Sequence, residues 1–358
     1  MSEINFKTFP TTRYQGSKRK ILPWIHENIK DLEFNTVLDA CGGTGSVSYL
    51  FKKMGKAVTY NDKLRFNYII GKALIQNQDV KFLPEDYQNL FAWSFANEPT
   101  DFIQKTFDRI YYPRRENVWL DCINNGIVNM NHYSGELLEY KKSIAYYALF
   151  QACLIKRPYN LFHRKNLVMR TRNVERNFGN KKTWEKSFEK HFKKFVDEAN
   201  SIVFRSEEPC IAINQSIFDI EGQYDLVYID PPYVRPASEK NETSNYLSCY
   251  HFLEGIAKFE SWPDLIDFET ANRKFLVQHD ENDFKRLNII ETFERIINKF
   301  QDSIIVLSYK KGGVPSIETL IRIMRRYKGR VYTRSLEYVY ALNRQNGSKN
   351  KEVLIIGI

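Results

Sequence analysis

Asp230, Pro231, Pro232 and Tyr233 follow directly on the apolar run Asp225-Leu226-Val227-Tyr228-Ile229. An acid, two stiff prolines and an aromatic ring are thereby set at the carboxyl end of a predicted buried strand, the edge at which open α/β sheets bind their ligands. Proline fixes its own φ and donates no backbone hydrogen bond, so two in succession leave rigid carbonyl acceptors facing whatever binds. The Asp230 carboxylate and the Pro231 carbonyl could accept both hydrogens of one amino group, with the Tyr233 ring stacked on the planar system that carries it. Chemistry on the exocyclic amine of adenine or cytosine needs such a pair, because the nitrogen lone pair is delocalised and two acceptors draw it toward a tetrahedral, reactive geometry. The tetrad alone is also compatible with an ordinary strand end followed by a proline turn.

A second constellation lies near the N-terminus. The strand-like Thr36-Val37-Leu38-Asp39 runs into Asp39-Ala40-Cys41-Gly42-Gly43-Thr44-Gly45-Ser46, after which Val47, Leu50 and Phe51 begin a helix. Small residues let a backbone approach a ligand closely, and a helix N-terminus offers unpaired amides. The turn lacks the Gly-Lys-Ser/Thr ending of a nucleoside triphosphate loop. The next strand ends in Asn61-Asp62, where an acid typically binds ribose hydroxyls. An adenosine-bearing cofactor in one half and an amine-activating tetrad in the other predict group transfer between them, and S-adenosylmethionine is the simplest donor. Its sulfonium already makes the methyl electrophilic, so alignment and desolvation suffice, without a metal or covalent nucleophile. The histidines, His163 and His251 among them, are expected to be structural, nucleic-acid or surface residues.

These residues need a sheet to position them. Strand-like runs occur at Thr36 to Asp39 and Ala57 to Tyr60, and again at Ile211 to Ile213, Asp225 to Ile229 and Ile304 to Leu307. Between 83 and 202 the pattern is helical, aromatic and basic. The expectation is an α/β, Rossmann-like sheet: a cofactor half over 1–82, an inserted, mostly helical recognition domain over 83–202, and a tetrad half over 203–358. Arg330 to Ala341 and Glu352 to Ile356, around the polar Asn343 to Gly347 turn, predict a closing antiparallel hairpin.

Composition bounds the partners. The 358 residues are 43% hydrophobic, enough for a buried core, and carry a net charge of +10. No stretch approaches the roughly 20 apolar residues of a membrane span, and the polar N-terminus lacks a secretory core, so a cytoplasmic location is expected. The five scattered cysteines show no Cys-x-x-Cys spacing and favour neither disulfides nor zinc. Basic residues crowd the segment from Lys156 to Lys194, and Arg13, Lys18, Arg19 and Lys20 form a second group. Such clusters suit a nucleic-acid partner, although each is also compatible with a solvated helix face.

With these motifs the chain resembles the alpha group of amino-methyltransferases, the Dam-like DNA adenine methylases of bacterial and phage maintenance or restriction-modification systems. Tyr14-Gln15-Gly16-Ser17-Lys18 matches the Tyr/Trp-x-Gly-x-Lys segment of that group, Asp39 to Gly45 its cofactor loop, Asp62 its ribose acid, and Asp230 to Tyr233 its catalytic tetrad. The resemblance covers almost the whole chain. It implies a methyltransferase fold, S-adenosylmethionine as cofactor, Tyr14 and Lys18 enclosing it with Gln15 and Gly16, and DNA recognition by the basic insert. Leu307-Ser308-Tyr309, Tyr250 to Gly255 and Lys351-Glu352-Val353-Leu354-Ile355 also resemble family segments. In one departure, Asn214-Gln215-Ser216 stands where the group usually carries an acid on the cofactor adenine; Gln215 or Ser216 would have to hydrogen-bond that ring instead.

The implied reaction is methylation of adenine N6 in double-stranded DNA, with the base flipped out of the stack onto Tyr233. Tyr246 and Tyr250 are candidates either to cover the other face of the base or to belong to the core. Arg164, Lys165, Arg170, Arg172 and Arg176 are the candidate DNA contacts. Cytosine N4 or RNA methylation, or a non-catalytic subunit of the same fold, are the alternatives. A monomer acting beside a separate restriction nuclease is the expected setting.

Overall fold

The computed structural model describes residues 4–98, 100–171, 180–234, 245–276, 283–338 and 350–358. Its centre is a seven-stranded sheet in the order β3-β2-β1-β4-β5-β7-β6. The strands are β1 (Thr36–Asp39), β2 (Ala57–Asn61), β3 (Cys210–Ile213), β4 (Leu226–Ile229), β5 (Ile304–Lys310), β6 (Val331–Tyr338) and β7 (Asn350–Gly357). The first five run parallel, while β7 is antiparallel to both β5 and β6. All the strand runs seen in the sequence are present, and the hairpin arms pair as expected; its turn lies outside the described residues.

Strand alternation explains why the sheet is buried on both faces. Val37, Leu226, Tyr228, Val306, Leu354 and Ile356 point into one apolar cluster, and Leu38, Val227, Ile229, Ile305, Leu307, Val353 and Ile355 into another. Each such buried aliphatic side chain contributes about 1.5–3 kcal/mol of transfer free energy. Over the second face lie the helices Ile289–Lys299 and Ile317–Tyr327. The latter places Leu320, Ile323 and Met324 on one face, is capped by Ser316 Oγ accepting from Thr319 N at 3.2 Å, and ends in Arg325 and Arg326. That is the spacing of an amphipathic helix, with charge suited to its dipole.

The other face carries Leu22–Ile29, Ser46–Lys53, Arg65–Gly71 and Tyr246–Ala257. Beyond them, the described residues from 84 to 202 form helices, chiefly Pro84–Ala96, Arg114–Val128, Gly135–Ile155 and Phe188–Ile202. Their apolar side chains, such as Leu120, Phe150, Phe192 and Phe195, belong to the same cluster as Val37 and Tyr228. Tyr49 of the Ser46–Lys53 helix also donates to Ile202 O at 2.7 Å. The helical segment therefore shares a continuous core with the sheet.

Candidate active site

In the strand order, the chain proceeds outward from β1 to β3 and then returns to place β4 on the other side of β1. The crevice at this reversal is the usual binding position of an open α/β sheet. A cavity of about 550 Å³ lies here, within the size range of small-molecule sites. Its wall includes Tyr14 to Lys18, Asp39 to Thr44, Asn61 to Arg65, Gln215, Tyr228, Asp230, Pro232, Tyr246, Glu254 and Asp283.

The glycine loop is shaped from beneath by Tyr60. A Cβ on Gly42 would lie 2.2 Å from the Tyr60 ring, and Gly43 and Gly45 have φ of +53° and +72°. Only glycine takes both demands without strain. The Tyr60 hydroxyl lies 2.6 Å from Gly43 O and 2.9 Å from Asn67 O. Asn61 ties three strand ends together, donating to Ala40 O at 2.9 Å and Gln215 O at 3.2 Å and accepting from Gln215 N at 3.1 Å. Asp62 accepts from Gly43 N and Leu64 N at 2.9 and 2.8 Å. Burial pushes its carboxyl up to about 6, against those amides. Asp39 accepts from Ser48 Oγ at 2.6 Å, but its other oxygen is buried without a hydrogen-bond partner. Burial pushes this acid up to about 7.

Three tyrosines form one wall. Tyr14 stacks on Tyr250 with ring centroids 4.6 Å apart and on Tyr246 at 5.2 Å. Tyr250 is fully buried and accepts from Gln15 N at 2.7 Å, so it is a core pillar behind Tyr14. Tyr246 lines the cavity and donates to Gln15 O at 3.2 Å. Glu254, on the same helix, accepts from Arg65 N and Phe66 N at 3.0 Å each and so caps the Arg65–Gly71 helix from outside.

At the end of β4, Asp230 belongs to a polar cluster. Lys18 Nζ lies 2.8 Å from Asp230 Oδ1 and 3.0 Å from Glu352 Oε1, and donates to the Tyr233 hydroxyl at 2.6 Å. That hydroxyl is 3.0 Å from Asp230 Oδ1 and 2.9 Å from Glu352 Oε1. Burial pushes the Asp230 carboxyl up to about 6; Lys18 pulls it down and Glu352 pushes it up. The Tyr233 ring rests edge-on against Tyr309, and Val314 N donates to Val234 O at 3.0 Å just beyond the tetrad.

A family model for D12 class N6 adenine-specific DNA methyltransferases matches residues 14–304. The chain belongs to that family. The methyltransferase is also 27% identical over 364 residues to the type II methyltransferase M2.HphI of Haemophilus parahaemolyticus, covering 99% of each chain. It is 25% identical to M.FokI of Planomicrobium okeanokoites over 87% of its own length and 46% of that protein, and 22% identical to M.NlaIII of Neisseria lactamica over 88% of each. It is thus an enzyme of site-specific adenine methylation in DNA, as the resemblance of its motifs implied.

Of the anticipated site residues, Gly45, Ser216, Pro231 and Tyr233 do not line the cavity. Ser216 instead donates to Asp283 Oδ2 at 3.0 Å, while Asp283 Oδ1 pairs with Lys63 at 2.8 Å. An acid therefore stands beside the neutral Gln215-Ser216 turn, brought from a distant part of the chain. Lys18, expected around the cofactor, lines the cavity and also meets the two carboxylates. Tyr60, Glu254, Asp283 and Glu352 were missed; among them only Glu254 and Glu352 fell within segments singled out for their family likeness.

The basic residues divide. Arg164 and Lys165 are exposed, on a loop held by buried Arg157, whose guanidinium donates to the carbonyls of Leu161, Arg164 and Lys165. Arg170 is turned inward, its side chain 5% exposed and paired with Glu116 at 2.9 Å. Glu116 also pairs with Lys156 at 2.9 Å, so Arg170, expected as a DNA contact, is part of a buried ion cluster. Arg172 and Arg176 lie outside the described residues. His251 is buried, 2.8 Å from the Tyr111 hydroxyl, and held down to about 3 by burial. No helix among the described residues is long and apolar enough to cross a membrane.

Proposed function

We propose that the methyl donor is S-adenosylmethionine, held between the glycine loop and the Tyr14 wall, and that Asp230 and Pro231 present the adenine amine to it. The observation that carries this reading is the convergence of Asp39, the glycine loop, Asp62 and Asp230 on one cavity. The residues fit a cationic donor: Asp39 has a buried oxygen without a partner, and a positive ligand would favour its ionised form. When bound, S-adenosylmethionine supplies an electrophilic methyl group. The Asp62 carboxylate, with lone pairs left beyond its two amide bonds, accepts from the ribose. Gln215 and Asp283 flank the adenine ring of the cofactor.

The target adenine reaches Asp230 by base flipping, at a cost of a few kcal/mol that stacking and edge hydrogen bonds offset. Asp230 Oδ2 and Pro231 O take the two N6 hydrogens, and Asp230 receives the proton released on methylation. We assign Tyr233 and Tyr246 to the two faces of the base; of the two, Tyr246 lines the cavity. Exposed Arg164 and Lys165 contact phosphates of duplex DNA. The names of the relatives favour a role in restriction-modification, beside a nuclease that acts separately; we assign the monomer as the working unit and the cytoplasm as its location.

The test is incubation with unmethylated genomic DNA and S-adenosylmethionine labelled in the methyl group, followed by nucleoside digestion and mass spectrometry. Labelled N6-methyladenine is expected from the native protein and none from Asp230→Ala, which retains DNA binding. Turnover by Asp230→Ala would remove the assigned role, and failure of the donor to bind in calorimetry would remove the cofactor.

A further inference from the structure

We propose that Glu352 is a positioning residue for the methyl-transfer site: from the start of β7 it holds Lys18 and Tyr233 on one oxygen of Asp230 and so leaves the other oxygen to the amine. The inference rests on the reading of Asp230 given above.

Topology explains how a residue so near the C-terminus reaches the tetrad. Because β7 runs antiparallel to β5, its first residues lie at the edge where the parallel strands end; Glu352 is paired with Lys310, the last residue of β5. Glu352 is fully buried, and the Lys18 side chain is 2% exposed. Its Oε1 gathers Lys18 Nζ at 3.0 Å, the Tyr233 hydroxyl at 2.9 Å and Ser308 Oγ at 2.8 Å. Lys18 and Tyr233 both continue to Asp230, and both meet Oδ1 rather than Oδ2.

The cluster is poorly explained by stability alone. It buries two carboxylates against one ammonium, and ions taken from water recover their desolvation penalty only with good geometry. Its effect on orientation is direct: Ser308 fixes Glu352, and Glu352 fixes the Lys18 ammonium between the two carboxylates. With Lys18 donating to the Tyr233 hydroxyl, the one phenolic proton is left to Asp230 Oδ1 or Glu352 Oε1, so that the Asp230 carboxylate is pinned about its own bond. Asp230 is the most open of the three charged groups, its side chain 20% exposed, and it lines the cavity. A donor or acceptor misplaced by about 1 Å can cost a reaction on the order of 100-fold.

Lys18 and Glu352 also act on Asp230 with opposite signs. The other titratable groups about it are Tyr233 on its own loop, Tyr228 on β4, and Asp39 and Cys41 at the end of β1. Asp230 must be ionised to accept from the amine, so its titration forms the acid limb of kcat.

Glu352→Gln keeps the shape and one acceptor but removes the charge. With donor and DNA saturating, its kcat is expected to fall at least about tenfold, and its acid limb to move to lower pH by on the order of one unit. Lys18→Gln should move the limb to higher pH. Both shifts, with the KM for DNA within about twofold of wild type, support the inference. A Glu352→Gln enzyme with the wild-type limb and kcat overturns it, while an inactive Asp230→Ala control would keep the role of Asp230 itself. Turnover by that control would refute the Asp230 reading and this inference together. Should Glu352→Gln not fold, Glu352→Asp decides, because it keeps the charge and withdraws the carboxylate from Lys18 and Tyr233: a kcat lowered at least about tenfold supports the positioning, and a wild-type kcat overturns it.

Discussion

Removing the Glu254 carboxylate should loosen the cofactor side of the site from a helix that lies well outside the glycine loop. Glu254 accepts from Arg65 N and Phe66 N at 3.0 Å each, while Leu64, immediately before that helix, supplies no side-chain cap. Phe66 is fully buried and Arg65 exposed, so water can replace only the bond to Arg65. An orphaned buried amide costs about 1–3 kcal/mol, and the space left by the lost methylene and carboxylate adds roughly 1 kcal/mol. The ion pair to half-exposed Lys258 at 3.1 Å adds little. A loss of about 2–4 kcal/mol corresponds to a fall in Tm of roughly 3–5 °C for a chain of this length. Glu254→Gln, which retains one acceptor but turns an amide donor toward the other N–H, should lose about half as much. Because Leu64 N donates to Asp62 Oδ1 at 2.8 Å, Glu254→Ala should also weaken donor binding by about fivefold, equivalent to roughly 1 kcal/mol. Calorimetric unfolding and titration with S-adenosylmethionine read both effects. A Glu254→Ala protein that melts within 1 °C of wild type (against the roughly 3–5 °C expected) and binds the donor unchanged would refute the reasoning.

Donor binding should depend on pH through Asp39, pushed up to about 7 by burial. Between the ordinary carboxylate range and about 7 the folded protein holds a proton that the unfolded chain has released, so this acid costs stability increasingly as pH rises through that window. A cationic ligand prefers the ionised acid, so affinity should instead rise with pH there; Kd for S-adenosylmethionine at pH 5.5 and pH 7, compared for wild type and Asp39→Asn, checks the sign, and a flat wild-type profile would exclude the coupling. Replacing Arg164 and Lys165 by alanine should lower DNA affinity and reduce the salt slope by roughly 0.9 for each phosphate no longer neutralised. A variant of Arg170, paired inside with Glu116, should lose thermal stability instead; binding isotherms at several salt concentrations, beside melting curves, separate the two classes.

The strand series, the glycine loop and the tetrad were legible in the sequence because each obeys a local rule. Strand burial shows as short apolar runs, tight turns as glycine, and a rigid strand end as paired prolines. The C-terminal hairpin was legible for the same reason. Arg170 could not be told from Arg164 on this basis, since both are arginines in one basic segment. Their difference is the presence of Glu116, brought beside Arg170 by the packing of the Arg114–Val128 helix. Tyr250 and Tyr246, four residues apart on one helix, likewise divided between pillar and cavity wall only when that helix was docked against Tyr14.

By itself the sequence determined the kind of chemistry: an α/β sheet, a glycine-rich turn at the end of β1 and an acid followed by paired prolines at the end of β4, each coded by neighbouring residues. Tertiary structure decided the electrostatics of the site. Asp283 stands beside Ser216, Glu254 caps the Arg65–Gly71 helix, and Lys18 and Glu352 converge on Asp230 from nearly opposite ends of the chain. Charge interactions act over a few ångströms of space and carry no trace in sequence separation. Only the order of strands, and the reversed direction of β7, brought those charges within reach of one another.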